Sequence, residues 1–456
     1  MKSQVDLIKM LLIEEQTILG VHKREINRDI ETFTARVEHE GASFYTITLP
    51  ALGKDFDKSL SEGVWMHNSS FKKRGALPAF LQGLLHLVFG HDGRLLEHPS
   101  VDAIRAFRQI TMFAGKLKAL PTDQRVRRAI SEYVSTDLEL GLHEFSPASL
   151  QVFRKAATVL FATGHGGRQT GLEQRLIDLS LQGELVGRHG PGSTADRLRS
   201  VRKWEMSWST SLEVDWDYNH FALPNARYST DVKPSYETPD SRTPVRVIAI
   251  PKTAKAPRII SLEPTHMQYV QSALADAIVA ELAACDTLNQ FIDTTDQGRN
   301  QRMALEGSMS SNLATLDLSE ASDRVSARLV DALFGSRLLR EIVFATRTPI
   351  ADVPGYGQIT LSKYASMGSG TTFVLESMVF LTIVFLSFCE ARQLPVTPAT
   401  LLKMRGVVSV YGDDLIVPTD VAPIVIQKLE AYGLKVNHAK SHVVGHYRES
   451  CGREYF

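Results

Sequence analysis

Val407-Val408-Ser409-Val410-Tyr411-Gly412-Asp413-Asp414-Leu415-Ile416-Val417-Pro418 decides how the rest of the chain is read. Two apolar, β-prone runs flank a glycine and two adjacent carboxylates, the pattern of a tight hairpin. Such a turn sets Asp413 and Asp414 side by side at its tip. Like charges that close repel strongly unless a cation lies between them. Hard oxygen ligands of this kind suit Mg²⁺, whose octahedron is completed by water and phosphate oxygens. For the tetrapeptide alone, a solvated Asp-rich turn is the plain alternative.

A second carboxylate motif lies upstream in Asn312-Leu313-Ala314-Thr315-Leu316-Asp317-Leu318-Ser319-Glu320-Ala321-Ser322-Asp323. Leu313 to Leu316 reads as a buried strand ending at Asp317. Ser319 and Ser322 are candidate helix starts, with Val325, Leu329 and Leu333 following at helical spacing. An acid at the end of a buried strand is costly unless paired or metal-bound. Two such strands side by side bring Asp317, Asp413 and Asp414 around one pair of metals, the arrangement that serves in-line phosphoryl displacement. A helix cap is the plain alternative for Asp317 alone.

The 456 residues suffice for two or three packed subdomains. A content of 43% hydrophobic and 22% charged residues is ordinary for a globular protein. With 51 basic and 51 acidic residues the formal charge is zero, which excludes a globally basic nucleic-acid binder and leaves only local clusters. Cys285, Cys389 and Cys451 lie far apart, without metal-ligand spacing, and read as reduced thiols of a cytosolic protein. The amino terminus has charges inside its apolar run and no cleavage pattern. The apolar stretch Met378–Cys389 falls short of the roughly 20 residues that cross a bilayer, so a buried core helix and no membrane association are expected.

The first 240 residues read as mainly helical, with helical patterns over 75–92, 101–118, 123–137 and 171–185. Arg188 to Asp196 forms a Gly-Pro loop followed by Arg197, Arg199, Arg202 and Lys203, either a phosphate-binding loop or a plain loop before a charged helix. Tyr218 to Arg242 reads as a surface connection. From residue 245 strands alternate with helices: strand Val245–Ile250, helix Thr265–Ala284, strand Leu313–Asp317, helix Asp323–Leu333, a hairpin near Pro354–Gly357, helix Thr371–Arg392, the Val407–Val417 hairpin, helix Val421–Tyr432 and a final strand pair. That order predicts an α+β fold with an antiparallel sheet backed by helices.

Between Arg242 and Arg258 stand five basic residues and no acid, centred on Pro251-Lys252-Thr253-Ala254-Lys255-Ala256-Pro257-Arg258. Cations so placed stabilise a triphosphate and its leaving pyrophosphate, Arg by gripping two oxygens and Lys as a point charge. A solvated basic hairpin is the alternative. Ser366-Met367-Gly368-Ser369-Gly370-Thr371-Thr372 precedes the apolar helix. It reads as a flexible loop with amides and hydroxyls for a sugar, or as a Ser/Thr-capped helix start.

Taken together, these blocks resemble the RNA-dependent RNA polymerases of single-stranded RNA bacteriophages, the levivirus-type replicase catalytic subunits. The resemblance rests on Asn300 to Ser326, Pro251-Lys252 through Glu263-Pro264, Ser366-Met367-Gly368 through Glu376-Ser377, the Tyr411 tetrapeptide, and Arg448-Glu449-Ser450-Cys451-Gly452. It is ordered from about residue 245 to the end and weak before residue 240. It implies a right-hand polymerase: a helical amino-terminal fingers region (1–240), a basic triphosphate-facing fingers segment with its connecting helix (241–312), a palm (313–445), and the start of a hairpin (446–456) leading to a thumb that is missing or truncated.

The resemblance also implies roles. Asp317 and Asp413 hold two Mg²⁺ ions, for which Mn²⁺ substitutes; Asp414 assists and the Leu318 carbonyl is a further ligand. Lys252, Lys255 and Arg258 cover the incoming triphosphate. Ser369, Gly370, Thr371 and Glu376 meet template and sugar, and Asp323 reads the 2′-hydroxyl. Lys440 protonates the leaving pyrophosphate. Many viral RNA polymerases carry an acid where this chain has Ser322 and an asparagine where it has Leu375, so Asp323 and Glu376 are each shifted by one. The implied partners are RNA template and product, nucleoside triphosphates and host elongation factors Tu and Ts, in the cytoplasm of a bacterial host. Two other readings stay open: a reverse-transcriptase-like palm enzyme, and a non-catalytic RNA-binding subunit derived from a polymerase.

Overall fold

Apolar residues of the amino-terminal region recur at helical spacing and fold into α1 (Lys2–Ile18), α2 (Lys23–Glu40), α3 (Leu49–Glu62), α4 (Val101–Met112), α5 (Asp123–Leu142), α6 (Pro147–Ala157) and α7 (Leu172–Leu181). The structure, a computed structural model, describes residues 2–66, 70–117, 120–223, 227 and 233–456. Ser100, Thr122 and Ser146 cap α4, α5 and α6 by accepting backbone N–H bonds, satisfying donors that a helix start leaves open. Helices α1 to α4 enclose one aromatic-rich core, where Phe56 stacks on Phe107 at 4.3 Å.

The helix expected over 75–92 does not form. Lys73–Arg74 pairs with Leu77–Pro78, and only Gln82–Leu85 is helical, entered through Leu81 at φ +57°. Gly75, Pro78, Gly83 and Gly90 break the pattern. The helix expected over 101–118 ends at Met112, and its last expected residue lies outside the described ones. The stretch Tyr218–Arg242 also lies partly outside them, at 224–226 and 228–232.

From residue 245 the order is β1 (Val245–Ile250), β2 (Arg258–Leu262), α8 (Thr265–Ala283), α9 (Gly298–Ser310), β3 (Leu313–Asp317), α10 (Ala327–Leu333), α11 (Arg337–Ala345), β4 (Ile350–Val353), β5 (Gly357–Thr360), α12 (Thr372–Ala391), β6 (Ser409–Tyr411), β7 (Asp414–Pro418), α13 (Ala422–Ala431), β8 (Arg448–Ser450) and β9 (Arg453–Tyr455). The fold is α+β. One sheet runs β6-β7-β3, antiparallel throughout. A second runs β2-β1-β4-β5 and departs from the all-antiparallel expectation, because β1 and β4 are parallel. Between them lies a crossover of nearly a hundred residues, the long connection a parallel pair needs.

The helix expected to begin at Asp323 is split. Ser322–Arg324 makes a single 3₁₀ turn, and Ser326, not Ser319 or Ser322, caps α10 by accepting from Leu329 N–H. Helix α12 is buried from Val374 to Cys389. Among the described residues it is the one helix long and apolar enough to cross a membrane, and 89% of its most apolar window is buried inside the protein. A helix apolar all round is a core helix in that setting.

Candidate active site

Strands β3 and β7 pair with Leu313 opposite Pro418 and Asp317 opposite Asp414. That register is set by burial: Leu313 to Leu316 and Leu415 to Pro418 are all buried, and a one-residue slip would turn each strand inside out. Directly opposed residues hold their Cβ atoms about 5 Å apart, and like charges there are destabilising. Gly412 and Asp413 form the two-residue loop between β6 and β7, Gly412 at φ +57°. A side chain at Gly412 would also meet Phe373 Cε2 at 2.4 Å. Its N–H donates to Ser377 Oγ at 3.1 Å, which ties the hairpin tip to α12.

The three acids meet different surroundings. Both Asp317 oxygens are engaged, Oδ1 by Asn437 Nδ2 at 2.8 Å and Oδ2 by Lys440 Nζ at 2.9 Å. Burial and then the Asp317 charge push the Asp413 carboxyl up, while Lys440 and Lys252 pull it down. Asp414 is pushed up to about 6, by burial first and Asp413 second; Ser450 Oγ donates to its Oδ1 at 3.4 Å. Asp413 nevertheless keeps solvent-accessible surface, so water reaches the tip of the hairpin. Among the described residues, no three His, Cys, Asp or Glu side chains converge as a ready-made metal cage, in keeping with the occupied oxygens of Asp317. The chemistry of the donors still fits a divalent cation: hard oxygens whose charged forms are disfavoured by mutual repulsion, which a cation relieves.

Lys440 lies where β3 is bridged on its outer side, by Thr315 opposite His442 and Leu318 opposite Val436. The bonds of the latter bridge are made by neighbours, Asn437 N–H to Asp317 O and Ser319 N–H to Lys435 O, and leave the Leu318 carbonyl unused by it. Burial would lower the Lys440 ammonium, but the Asp317 carboxylate outweighs it and holds it above the usual lysine range.

The basic loop spans the turn between β1 and β2, with Lys252 and Lys255 exposed on it and Arg258 opening β2 opposite Ile250. Arg125 of α5 anchors it by donating to Ala254 O at 2.7 Å. Burial and the charges of Arg258 and Lys440 lower the Lys252 ammonium, and Asp413 raises it. Lys252 therefore shares one electrostatic field with the hairpin tip and Lys440.

The Ser366–Thr372 loop is tied to its surroundings by hydrogen bonds. Gly370 N–H donates to Gln271 Oε1 at 3.1 Å, and the buried hydroxyls of Ser369 and Thr371 lie 3.2 Å apart. Thr371 makes no side-chain cap to α12. Gly368, at φ +126°, passes so close to Ser261 that a Cβ would lie 2.1 Å from its carbonyl oxygen. Burial pushes Glu376 well above the carboxylate range, with Asp413 and Asp323 adding to it, and its Oε2 has no hydrogen-bond partner. Its charged form is disfavoured beside the site.

Asp323 is not a free carboxylate. Lys363, 0% exposed, donates from Nζ to Asp323 Oδ1 at 3.0 Å and sits 3.5 Å over the Tyr133 ring, with Asp137 at 4.0 Å. Sequence reasoning missed Lys363, although it is the only charged residue between Asp352 and Glu376. It also missed Lys54 of α3, whose ammonium is lowered by burial and by the charges of Lys440 and Lys255; no local pattern marks it. Glu449, quoted within the Arg448–Gly452 block but given no role of its own, is raised by burial. Arg448, in the segment read as the start of a hairpin, is fully buried and donates to Leu313 O at 2.6 Å, bracing β3.

The fold and site define an α+β protein with a paired-carboxylate hairpin facing a basic loop. Residues 224–456 match the family described as RNA replicase, beta-chain, and the chain belongs to that family. It is 37% identical over 210 residues to the RNA-directed RNA polymerase beta chain of Enterobacteria phage fr, covering 46% of this chain and 35% of that one. The corresponding subunit of Escherichia virus Qbeta is 35% identical over 211 residues, 46% and 33% of the two chains. That of Escherichia phage MS2 is 37% identical over 210 residues, 46% and 35%. The match thus spans about a third of the length of these relatives. Among solved structures, a loop-deletion mutant of the RNA-dependent RNA polymerase of a human picobirnavirus is 10% identical with a TM-score of 0.36, covering 74% of this chain and 72% of that one.

Proposed function

We propose that the chain carries the catalytic region of an RNA-directed RNA polymerase, which joins nucleoside triphosphates on an RNA template to copy a phage genome. The observation that carries this is the register that sets Asp317 opposite Asp414, with Asp413 at the tip in one field with Lys252 and Lys440. In this reading β6-β7-β3 and their helices (313–445) are the palm, 1–240 and 241–312 the fingers, and 446–456 the start of a hairpin toward a thumb.

Asp413, Asp414 and, once released from Lys440, Asp317 would hold Mg²⁺ or Mn²⁺, with the Leu318 carbonyl beside them. When bound, a pair of such ions activates the 3′-hydroxyl and stabilises the departing pyrophosphate. Lys252, Lys255 and Arg258 bind the triphosphate and neutralise charge that grows on it. Lys440 Nζ carries the proton destined for pyrophosphate, and its raised affinity for that proton keeps it charged until transfer. Asp323, oriented by Lys363, and the Ser369–Thr371 hydroxyl pair select the sugar, with Glu376 beside them. RNA, nucleoside triphosphates and host elongation factors Tu and Ts are the partners, in a bacterial cytoplasm; the phage relatives support this setting.

The test is template-dependent incorporation of labelled ribonucleotide by the purified protein in Mg²⁺, compared with Asp413→Asn. Incorporation by the wild type and its loss in a folded, RNA-binding Asp413→Asn protein are expected. Near-normal incorporation by the variant overturns the site. Preference for deoxynucleotides selects the reverse-transcriptase reading, and template binding without incorporation selects the non-catalytic one.

A further inference from the structure

The four basic residues that follow the Gly-Pro loop do not act as one patch. Lys203 is 2% exposed and donates to Gly190 O at 2.5 Å and Gly192 O at 2.7 Å, so it stitches the loop together. Arg202 pairs with Glu205 at 3.0 Å. Asp196 is turned inward and accepts from Thr265 N–H at 3.1 Å and Thr265 Oγ at 2.6 Å. Arg197 and Arg199 remain exposed. They meet a third arginine that no sequence proximity suggests, Arg246 of β1.

The three line one open cavity of about 460 Å³ with Ser193, Leu198, Ile248 and Leu262. Among the described residues no carboxylate lies within ion-pair distance of any of them. Arg246 donates from Nη2 to Thr194 O at 3.3 Å, while its buried Nε has no partner. A buried guanidinium N–H left open is costly, and the three cations around one cavity are compensated only in part, since Asp352 of β4 stands in register with Arg246 but beyond ion-pair distance. Both costs are relieved by an anion.

The hairpin shows what kind of anion. Arg246 lies opposite Leu262, Ile248 opposite Ile260 and Ile250 opposite Arg258. By strand alternation all six share one face. The opposite face, carrying Val245, Val247 and Ile259, packs on Ile130, Tyr133 and Val134 of α5. Arg258 and the arginine cavity thus stand at two ends of one face, four residues apart, about 13 Å at strand rise. Between them are apolar Ile248 and Ile260, a surface suited to bases or riboses. A strand with repeated phosphates can engage both ends at once and lay its riboses over the apolar residues between them.

We propose that the Arg197–Arg199–Arg246 cavity binds the backbone phosphates of a single-stranded RNA segment that runs along this face of the β1–β2 hairpin toward Arg258. The contact is to phosphate and so is independent of sequence. Its orientation toward the active site rests on the polymerase reading; its binding of RNA does not.

The experiment is fluorescence anisotropy of a labelled single-stranded RNA of about a dozen nucleotides, titrated with the 456-residue protein over a salt series, beside steady-state nucleotide addition. Arg197→Gln/Arg199→Gln and Arg246→Gln should each weaken RNA binding several-fold at low salt. Each should flatten the dependence of log affinity on log salt by about 0.7 for every phosphate that is no longer neutralised. Arg246→Lys, which keeps the charge, should recover part of the affinity, and KM for nucleoside triphosphates should stay put. Since Arg246→Gln also loses its bond to Thr194, the exposed double variant decides if that protein unfolds. Unchanged RNA affinity and salt slope in the double variant overturn the proposal. So does a raised KM for triphosphates with RNA binding intact, which would make the cavity a nucleotide site. A wild type that binds RNA but adds no nucleotide counts against the polymerase reading alone, and the anisotropy series still decides the cavity.

Discussion

Lys363 changes what Asp323 can be. A fully buried ammonium is tolerated because Asp323 accepts from it at 3.0 Å and Tyr133 offers its ring face at 3.5 Å. That pair fixes one Asp323 oxygen and leaves the other for a ligand. If it reads the 2′-hydroxyl, Asp323→Ala should cut kcat/KM for ribonucleotides more than for 2′-deoxynucleotides, because a site built to bond a hydroxyl penalises the analogue lacking it. It should also cost about 3 kcal/mol of stability, since Lys363 loses its partner. An unchanged ribo/deoxy ratio alongside that stability loss would make Asp323 structural only. Glu263 gives a pH prediction outside the site. Burial pushes it up to about 7, with Thr348 Oγ donating to it at 2.6 Å. The folded state therefore holds this proton where the unfolded chain has lost it. Its stabilisation is complete below the unfolded carboxylate pKa, near 4.5, and fades as pH rises to about 7. Glu263→Gln, permanently neutral, should flatten that decline and unfold at a higher temperature than wild type at pH 8, with little difference near pH 4; parallel melting curves across pH would refute the assignment.

At the scale of elements, the β6–β7 hairpin carries the most chemistry per residue. Gly412→Ala forces a side chain into left-handed backbone and against Phe373, a cost of about 1–2 kcal/mol for the backbone alone. Nucleotide addition should fall far more than stability, because Asp413 is carried by that turn; activity that merely tracks the melting temperature would contradict this. In the β1–β2 loop, Arg258→Ala should raise KM for triphosphates and slow addition while affecting RNA affinity less. Lost RNA affinity with an unchanged KM would make Arg258 a template contact instead. The β6–β7 hairpin, β1 and β3 were legible in sequence because their signals are local: apolar runs that must be buried, turn residues between them, and acids at strand ends. Strand β2, behind the basic loop, was not read as one. The region 75–92 was misread because its apolar residues are spaced like a helix while glycines and Pro78 forbid one. The Asp323–Leu333 helix was drawn too long because Ser319 and Ser322 resemble caps as well as Ser326 does. Lys54 and the link of Arg246 to Arg197 were not legible, since each is brought to its neighbours only by tertiary packing.

Across the whole molecule, the amino-terminal helices grip the segment that carries Lys440. Lys58 donates to Ser441 O at 2.9 Å and Ser61 to Val444 O at 3.0 Å. Gly445 passes so close to Ser61 that a Cβ would lie 2.2 Å from its carbonyl oxygen. Arg108 of α4 is the knot: it pairs with Asp57 of α3 and Glu454 of β9, donates to Tyr447 Oη at 2.8 Å and lies over the Tyr447 ring. Asp57 is pushed up to about 7 by burial, with the Arg108 charge opposing, so the acid depends on its partner to stay charged. The aromatic core of α1 to α4 includes Tyr447 itself. A fold with zero net charge thus brings Lys54, Lys252, Lys255 and Lys440 from distant parts of the chain into one electrostatic neighbourhood, and the placement of Lys440 relies on this seam. Arg108→Ala should cost about 3 kcal/mol, mostly from leaving Asp57 buried without a cation. Adding Asp57→Asn should return part of that, because the two changes share one interaction. If the seam positions Lys440, nucleotide addition by Arg108→Ala should drop at temperatures where the protein remains folded, while RNA affinity at the β1–β2 face holds. Chemical denaturation of the two variants, read against their rates at one temperature, separates the outcomes: a stability loss with full activity would mean that the amino-terminal helices hold the fold together without aligning the site.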